Sequence, residues 1–350
     1  MSSVACSRLP NLQALAVGLT SVLGSQVTIL DRQPNTYAST FPSEILRCQL
    51  GNGRELRLLC KYGADHSTSL SGRTGHKGGV PYEAAAYRYV LRTSSATTPK
   101  FHGAYEDVES GDTWLILEYL DDSVRLRKMR ESSAAMGLAA RWIGRFHNTT
   151  EERLSHASMR FLSRYDADYY LGWARLTSLL AGQLCQRFRW LTTLCRRFED
   201  VVALLLASPA TVIHGEYYPS NILFRAGTVY PIDWESAAVA AGELDLATLT
   251  ENWGAEIERQ CELEYQRARW PEGSPADFER RLCSARLYLQ FRWLCHENRD
   301  LLTEKGTGGE RWDWSHKVKV PLYRLQQLRS LGERLELIGA DSDEDVGPQS

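Results

Sequence analysis

The chain has 350 residues, and at roughly 100–200 residues per domain that length implies two lobes instead of one small core. Hydrophobic residues at 43% and charged residues at 24% are ordinary globular usage, which excludes a disordered, collagen-like or coiled-coil chain. Forty-one basic against 43 acidic side chains give a formal net charge of -2, so no global basic field argues for nucleic acid, and no apolar run approaches the ~20 residues that span a bilayer.

Leu12, Leu15, Ala16, Leu19, Val22 and Leu23 recur at helical spacing behind Pro10, so residues 12–24 read as an amphipathic helix. A targeting signal would need a stronger charged start and a small-residue cleavage site. The 8 cysteines (Cys6, Cys48, Cys60, Cys185, Cys195, Cys261, Cys283 and Cys295) nowhere form a C-x-x-C pair, so neither a zinc knuckle nor a redox couple is written here. Most sit in apolar settings such as Leu58-Leu59-Cys60 and behave as small hydrophobes; reduced thiols without an export signal predict a cytoplasmic location.

Residues 27–30, 43–50 and 55–61 are short runs rich in Val, Ile and Leu, and Gly51-Asn52-Gly53 supplies the positive φ of a tight hairpin turn. Residues 62–81 form a long loop rich in Gly, Ser and His, a length that points to mobility or function. Residues 82–91 read as a helix and 113–119 as a buried strand. From about 132 the pattern becomes helical, over 132–147, 169–180, 184–206, 243–252, 278–298 and 322–337, with short strands near 211–214 and 229–232. The expected division is an N-terminal lobe over 1–120, a helical lobe over 121–338 and a disordered acidic tail over 339–350. The chemistry should lie in the cleft between the lobes.

The densest signal is Val212-Ile213-His214-Gly215-Glu216-Tyr217-Tyr218-Pro219-Ser220-Asn221-Ile222-Leu223, followed by Tyr230-Pro231-Ile232-Asp233-Trp234-Glu235. An apolar strand delivers a polar cluster, a proline turn resets the chain, and a second strand ends in another carboxylate. Phosphoryl transfer needs oxygen ligands for Mg²⁺ and a carboxylate aimed at the attacking hydroxyl, and Glu216, Asn221 and Asp233 are of those types. A zinc deaminase also carries H-x-E, as His214-x-Glu216 does, but requires P-C-x-x-C downstream, and Ser220 follows Pro219.

In these motifs, and in Gly242-Glu243-Leu244-Asp245-Leu246-Ala247, the chain resembles the aminoglycoside phosphotransferase and choline kinase-like group of the protein-kinase-like superfamily. The resemblance covers about residues 25–300 and is strong in 210–250. It implies an α+β, bilobal protein-kinase-like fold, with a small antiparallel-sheet N-lobe and a larger, mainly helical C-lobe. It further implies an ATP-dependent, Mg²⁺-assisted phosphotransferase, GTP being the other candidate donor, acting on a small-molecule hydroxyl acceptor such as an aminoglycoside or aminosugar. A monomer or homodimer without nucleic-acid or membrane partners is expected.

By the same resemblance, Asn221 and Asp233 ligate Mg²⁺, Glu216 orients or deprotonates the acceptor, His214 braces the metal loop, and Asp245 holds that loop through backbone hydrogen bonds. The family places Asp at position 216. Glu is one methylene longer, which moves the oxygens by about 1.5 Å. The expected reading is an active enzyme re-spaced around Glu216; the alternative is a nucleotide-binding pseudokinase.

Upstream, Lys61 ends an apolar strand, where the family's phosphate-neutralising lysine stands, and Glu83 opens the next helix as its partner. No G-x-G-x-x-G is present, so the 35–40 turn, with Ser39 and Thr40, has to cover the phosphates. Glu118 and Leu120 end the linking strand, where backbone groups would meet the base. From 243 to 264 seven acids (Glu243, Asp245, Glu251, Glu256, Glu258, Glu262, Glu264) face the single base Arg259, either as an acceptor wall suited to a cationic amine or as a solvated helix face. Glu251, Trp253, His296 and Glu297 are the candidate acceptor contacts, beside Tyr288 and Trp293, whose helical spacing also suits core.

Overall fold

Alternation along a pleated strand decides how the first part of the chain is built. The strands β1 (Val27–Pro34), β2 (Ser43–Leu50), β3 (Glu55–Gly63), β4 (Phe101–Glu106) and β5 (Thr113–Glu118) form one antiparallel sheet in the order β1-β2-β3-β5-β4. Leu58, Cys60 and Tyr62 of β3 join Trp114 and Ile116 of β5 in one apolar cluster, onto which helix α1 (Leu12–Leu23) lays Leu15 and Leu19. The intervening residues Leu59, Leu115 and Leu117 face the second, larger core, and Lys61 shares their side of β3. The computed structural model describes residues 9–37, 41–64, 78–129, 132–180, 188–297 and 322–339. Ser39, Thr40, most of the 62–81 loop and the acidic tail lie outside the described residues.

The local chemistry explains the boundaries. Asn11 caps α1 by accepting from the Ala14 amide at 2.8 Å, and Gly24, at φ 65°, closes it in the left-handed conformation. The expected 51–53 turn forms with Gly53 at φ 82°. Helix α2 (Gly79–Ala85) begins earlier than its apolar pattern suggests and runs on into a wider π-helical stretch, Ala86–Leu91. Strand β4 escaped the sequence reading because it is a half-buried edge, and its pairing register slips between Phe101 and Gly103.

The rest is mainly helical: α3 (Ser133–Glu151), α4 (Ala167–Leu180), α5 (Arg189–Arg196), α6 (Phe198–Ala207), α7 (Glu243–Thr250), α8 (Ala255–Arg269), α9 (Phe278–Glu297) and α10 (Leu322–Arg334). The single helix expected over 184–206 is two helices in its described part, broken at Arg197, whose guanidinium instead donates to the Glu336 carbonyl at 2.7 Å. Short strands β6 (Val124–Arg125), β7 (Ser163–Arg164), β8 (Ala210–Ile213), β9 (Ile222–Arg225), β10 (Thr228–Pro231) and β11 (Ala238–Ala241) make two small sheets, β10-β9-β6 and β7-β11-β8, that carry the motif loops. Helix α9 is buried around most of its circumference, with Leu282, Leu287, Phe291 and Leu294 among the residues it buries. Gly144 lets α3 approach the backbone of α8, since a Cβ there would lie 2.7 Å from the Tyr265 carbonyl oxygen. This is the expected α+β arrangement of antiparallel sheet followed by helical lobe.

Among the described residues no helix is long and apolar enough to cross a membrane. The described cysteines are free, and all but Cys195 are buried.

Gly18 sits where α1 meets the sheet, and a side chain there would overlap the Trp114 ring. Gly18→Val should therefore destabilise the fold by about 1–3 kcal/mol, read as a lower urea midpoint at unchanged slope. An unchanged midpoint would show that α1 is not packed on Trp114.

Candidate active site

Lys61 is the centre of a buried ionic cluster assembled from three parts of the chain. Its ammonium lies 2.7 Å from Glu83 Oε2 on α2, 2.7 Å from Asp233 Oδ1 after β10, and 3.5 Å from Glu235 Oε2. The other Glu83 oxygen accepts from the Trp234 amide at 3.1 Å, and the Gly78 amide donates to the Glu235 carbonyl at 3.0 Å, so α2 is tied to the acidic segment at both ends of the pair. Burial acts to strip the proton from Lys61, but Glu83, Asp233 and Glu235 outweigh it and hold the ammonium well above the ordinary lysine range. Burial pushes Glu83 upward, and Lys61 opposes that shift.

The second part of the site hangs on Asp245, in the first turn of α7. Its carboxylate accepts from the His214 amide at 2.6 Å and the Gly215 amide at 2.9 Å, and pairs with His147 Nε2 of α3 at 3.1 Å. Gly215 stands at φ 81°, and a Cβ there would overlap the Ser236 carbonyl oxygen, so only glycine fits this bend. His214 Nε2 lies 2.9 Å from the Ile232 carbonyl, while its Nδ1 accepts from the Glu216 amide at 3.3 Å. The Asn221 carbonyl accepts from the Ile232 amide at 2.9 Å, and the Asn221 side-chain amide donates to the Glu216 carbonyl at 3.0 Å. These bonds fix the two motif loops to each other.

The result is a convergence of acids. Oxygens of Glu216, Asp233 and Glu235 all lie within 4.8 Å of one another. Asp233 reaches this point at φ 69°, a left-handed backbone that a non-glycine residue adopts only when its surroundings enforce it. A hard all-oxygen donor set of this kind suits a small divalent cation such as Mg²⁺. Glu235 belongs to this cluster although its place in the Ile-Asp-Trp-Glu run carried no role in the sequence reading; its adjacency to Asp233 was the available signal.

Comparison with known proteins bears on the family and the fold. Residues 73–280, more than half of the chain, match a family profile described as the phosphotransferase enzyme family. The chain belongs to the phosphotransferase enzyme family. The fold is that of protein-kinase-like phosphotransferases. The GDP complex of wild-type aminoglycoside 2'-phosphotransferase-IIIa superposes with a TM-score of 0.58 at 12% identity, covering 93% of this chain and 99% of that one. Choline kinase LicA from Streptococcus pneumoniae gives 0.54 at 12% identity with coverages of 93% and 99%. Macrolide 2'-phosphotransferase MphH from Brachybacterium faecium gives 0.54 at 14% identity with 86% and 100%. No curated protein matches the sequence.

Other expected site residues of the phosphotransferase fare differently. Glu118 donates its amide to the Lys100 carbonyl at 2.8 Å and accepts from the Lys100 amide with its carboxylate at 3.2 Å, so these groups belong to the sheet. Leu120 is buried beside it. The acids of the 243–264 window divide: Glu243 and Asp245 are buried, Glu258 and Glu262 pair with Arg286, and Glu264 pairs with Arg141. Glu251 accepts from Trp293 Nε1 at 2.7 Å, and Glu297 holds the buried Arg324 at 2.6 Å, with Arg324 also 3.9 Å from Glu251. His296 lies edge-on to the Trp293 ring, and Trp253 packs on the core. Arginines from α3, α9 and α10, outside the window counted in sequence, neutralise what looked like an acidic face.

His147 is fully buried, and that burial lowers its pKa against the raising effect of Asp245. The folded state refuses a proton that the unfolded chain accepts below about pH 6.5, so this contribution to stability is complete above that pH and lost as pH falls through it. Between pH 6.5 and 5.5 the wild type should lose more stability than His147→Gln in urea titrations. Parallel pH profiles would contradict a neutral buried imidazole.

Proposed function

We propose that the protein transfers the γ-phosphoryl group of ATP or GTP to a hydroxyl of a small molecule, with Glu216 as the carboxylate that orients and deprotonates the acceptor. The observation that carries this reading is the distance of 2.7 Å from Lys61 Nζ to both Glu83 and Asp233, which supports phosphate-binding and metal-binding roles for neighbouring groups. Lys61 would meet the α- and β-phosphates while Glu83 keeps its ammonium in place. Asp233 and Glu235, with Asn221 on the adjoining loop, would hold Mg²⁺, which when bound supplies positive charge against the phosphate oxygens.

Transfer, and not nucleotide holding alone, is favoured because Glu216 is drawn into the same carboxylate group as Asp233. A side chain retained in a decayed site has no reason to converge there. The bonds from Asp245 to the amides of His214 and Gly215 hold the loop before substrate arrives, so little reorganisation remains for the reacting step. The similarity to aminoglycoside, macrolide and choline enzymes supports a small-molecule acceptor, an aminosugar among them. The neutralised acidic face does not by itself select a cationic one.

The test is a coupled assay with Mg²⁺ and ATP or GTP over aminoglycosides, choline-like amines, sugars and nucleosides. Asp233→Ala should abolish turnover, and Glu216→Gln should retain nucleotide affinity while lowering transfer at least ~10²-fold, the scale of general-base catalysis. Equal turnover in wild type and Glu216→Gln would remove the proposed base.

A further inference from the structure

Glu216 does not stand alone in its loop. Arg292, on the buried helix α9, donates from Nη1 to the Gly215 carbonyl at 2.9 Å and from Nη2 to Glu216 Oε1 at 3.2 Å. One planar guanidinium thus grips the carboxylate and the backbone of the residue before it, and a fork of fixed geometry sets the one relative to the other. The side chains of the pair are only 17% and 14% exposed, so solvent screens the contact weakly. Phe291, next to Arg292, is fully buried and packs edge-on against Phe198 at 4.6 Å, which fixes the helix from which the guanidinium reaches.

A glutamate at this position has one more rotatable bond than the aspartate of the resembled motif. The added torsion lets the carboxylate sweep an arc of the order of one carbon–carbon bond, about 1.5 Å. Misplacement of about 1 Å at a reacting group costs on the order of 10²-fold in rate. Without a second anchor the longer side chain would populate several rotamers, of which few point the oxygens at an acceptor. Neither the motif nor its spacing announces this anchor, since Arg292 lies on a helix far along the chain.

We propose that Arg292 is the positioning residue for Glu216: its two-point grip on Gly215 and Glu216 removes the freedom of the longer side chain and sets the carboxylate where the transfer step needs it. The inference rests on the reading of Glu216 as the acceptor-orienting carboxylate. Arg292 acts through Glu216 and not on the nucleotide, so its loss should appear in kcat and leave the nucleotide KM in place. The two residues form a matched pair, and shortening the carboxylate matters less once the guanidinium is gone.

The test uses the full chain, with MgATP and MgGTP turnover in the absence of an added acceptor as the probe, so that water takes the phosphoryl group. Arg292→Met should lower kcat by about 10- to 100-fold with the nucleotide KM within about twofold, and Arg292→Lys should recover part of the loss. Glu216→Asp should cost at least about fivefold less in the Arg292→Met background than in the native one. A crystal structure of Arg292→Met gives a readout independent of turnover: the Glu216 carboxylate should move by about 1 Å or more while the backbone of 213–216 stays in place. An unmoved carboxylate, or an unchanged kcat in Arg292→Met where Glu216→Gln is inactive, overturns the positioning role alone. Unchanged kcat in Glu216→Gln overturns the reading beneath it, and the inference with it.

Discussion

A buried ammonium surrounded by three carboxylates is the contact on which the rest of the molecule depends. Lys61 is oriented by strand alternation, Glu83 by α2, and Asp233 and Glu235 by the chain leaving β10. None of these acids tolerates burial without a counter-charge, and together they outnumber the one cation among them. The imbalance suits a divalent cation, whose positive charge would offset the carboxylates once Lys61 turns to phosphate. It also ties the sheet to the helical lobe, since breaking Lys61 from Asp233 separates residues 172 positions apart in sequence.

The helical lobe contributes a second constraint of a different kind. Asp245 is fully buried and takes two backbone amides and an imidazole, so the His214–Gly215 bend has its donors satisfied without water. Gly215 takes a bend that only glycine fits and Asp233 is the strained point of the motif loops, and both are held from outside the loops that contain them. Strain at Asp233 is sustained by Lys61 of β3 and by Glu83 of α2, which takes the neighbouring Trp234 amide.

Much of this was legible in sequence because it is local. The Gly51-Asn52-Gly53 turn, the apolar strand that Lys61 ends, and the spacing of His214, Asn221 and Asp233 are short-range patterns with direct geometric meaning. What was not legible depends on contacts between distant segments. Strand β4 has no strand-like composition and exists because β5 offers it an edge. The break at Arg197 comes between two runs that share one helical period. The acids of the 243–264 window looked unbalanced because Arg286 and Arg141, which pair with Glu258, Glu262 and Glu264, and Arg324, which lies near Glu251, come from other helices. Glu235 and Arg292 were passed over for the same reason: their roles lie in which side chains they meet.

The most direct measurement is a crystal structure of the protein with Mn²⁺ and a non-hydrolysable ATP or GTP analogue, read by anomalous scattering. The account expects a manganese peak within coordination distance of Asp233 and of Glu235 or Asn221, with Lys61 moved onto the phosphates while still bound to Glu83. A nucleotide bound elsewhere, or a peak remote from Asp233 with Lys61 still closed on it, would contradict the account.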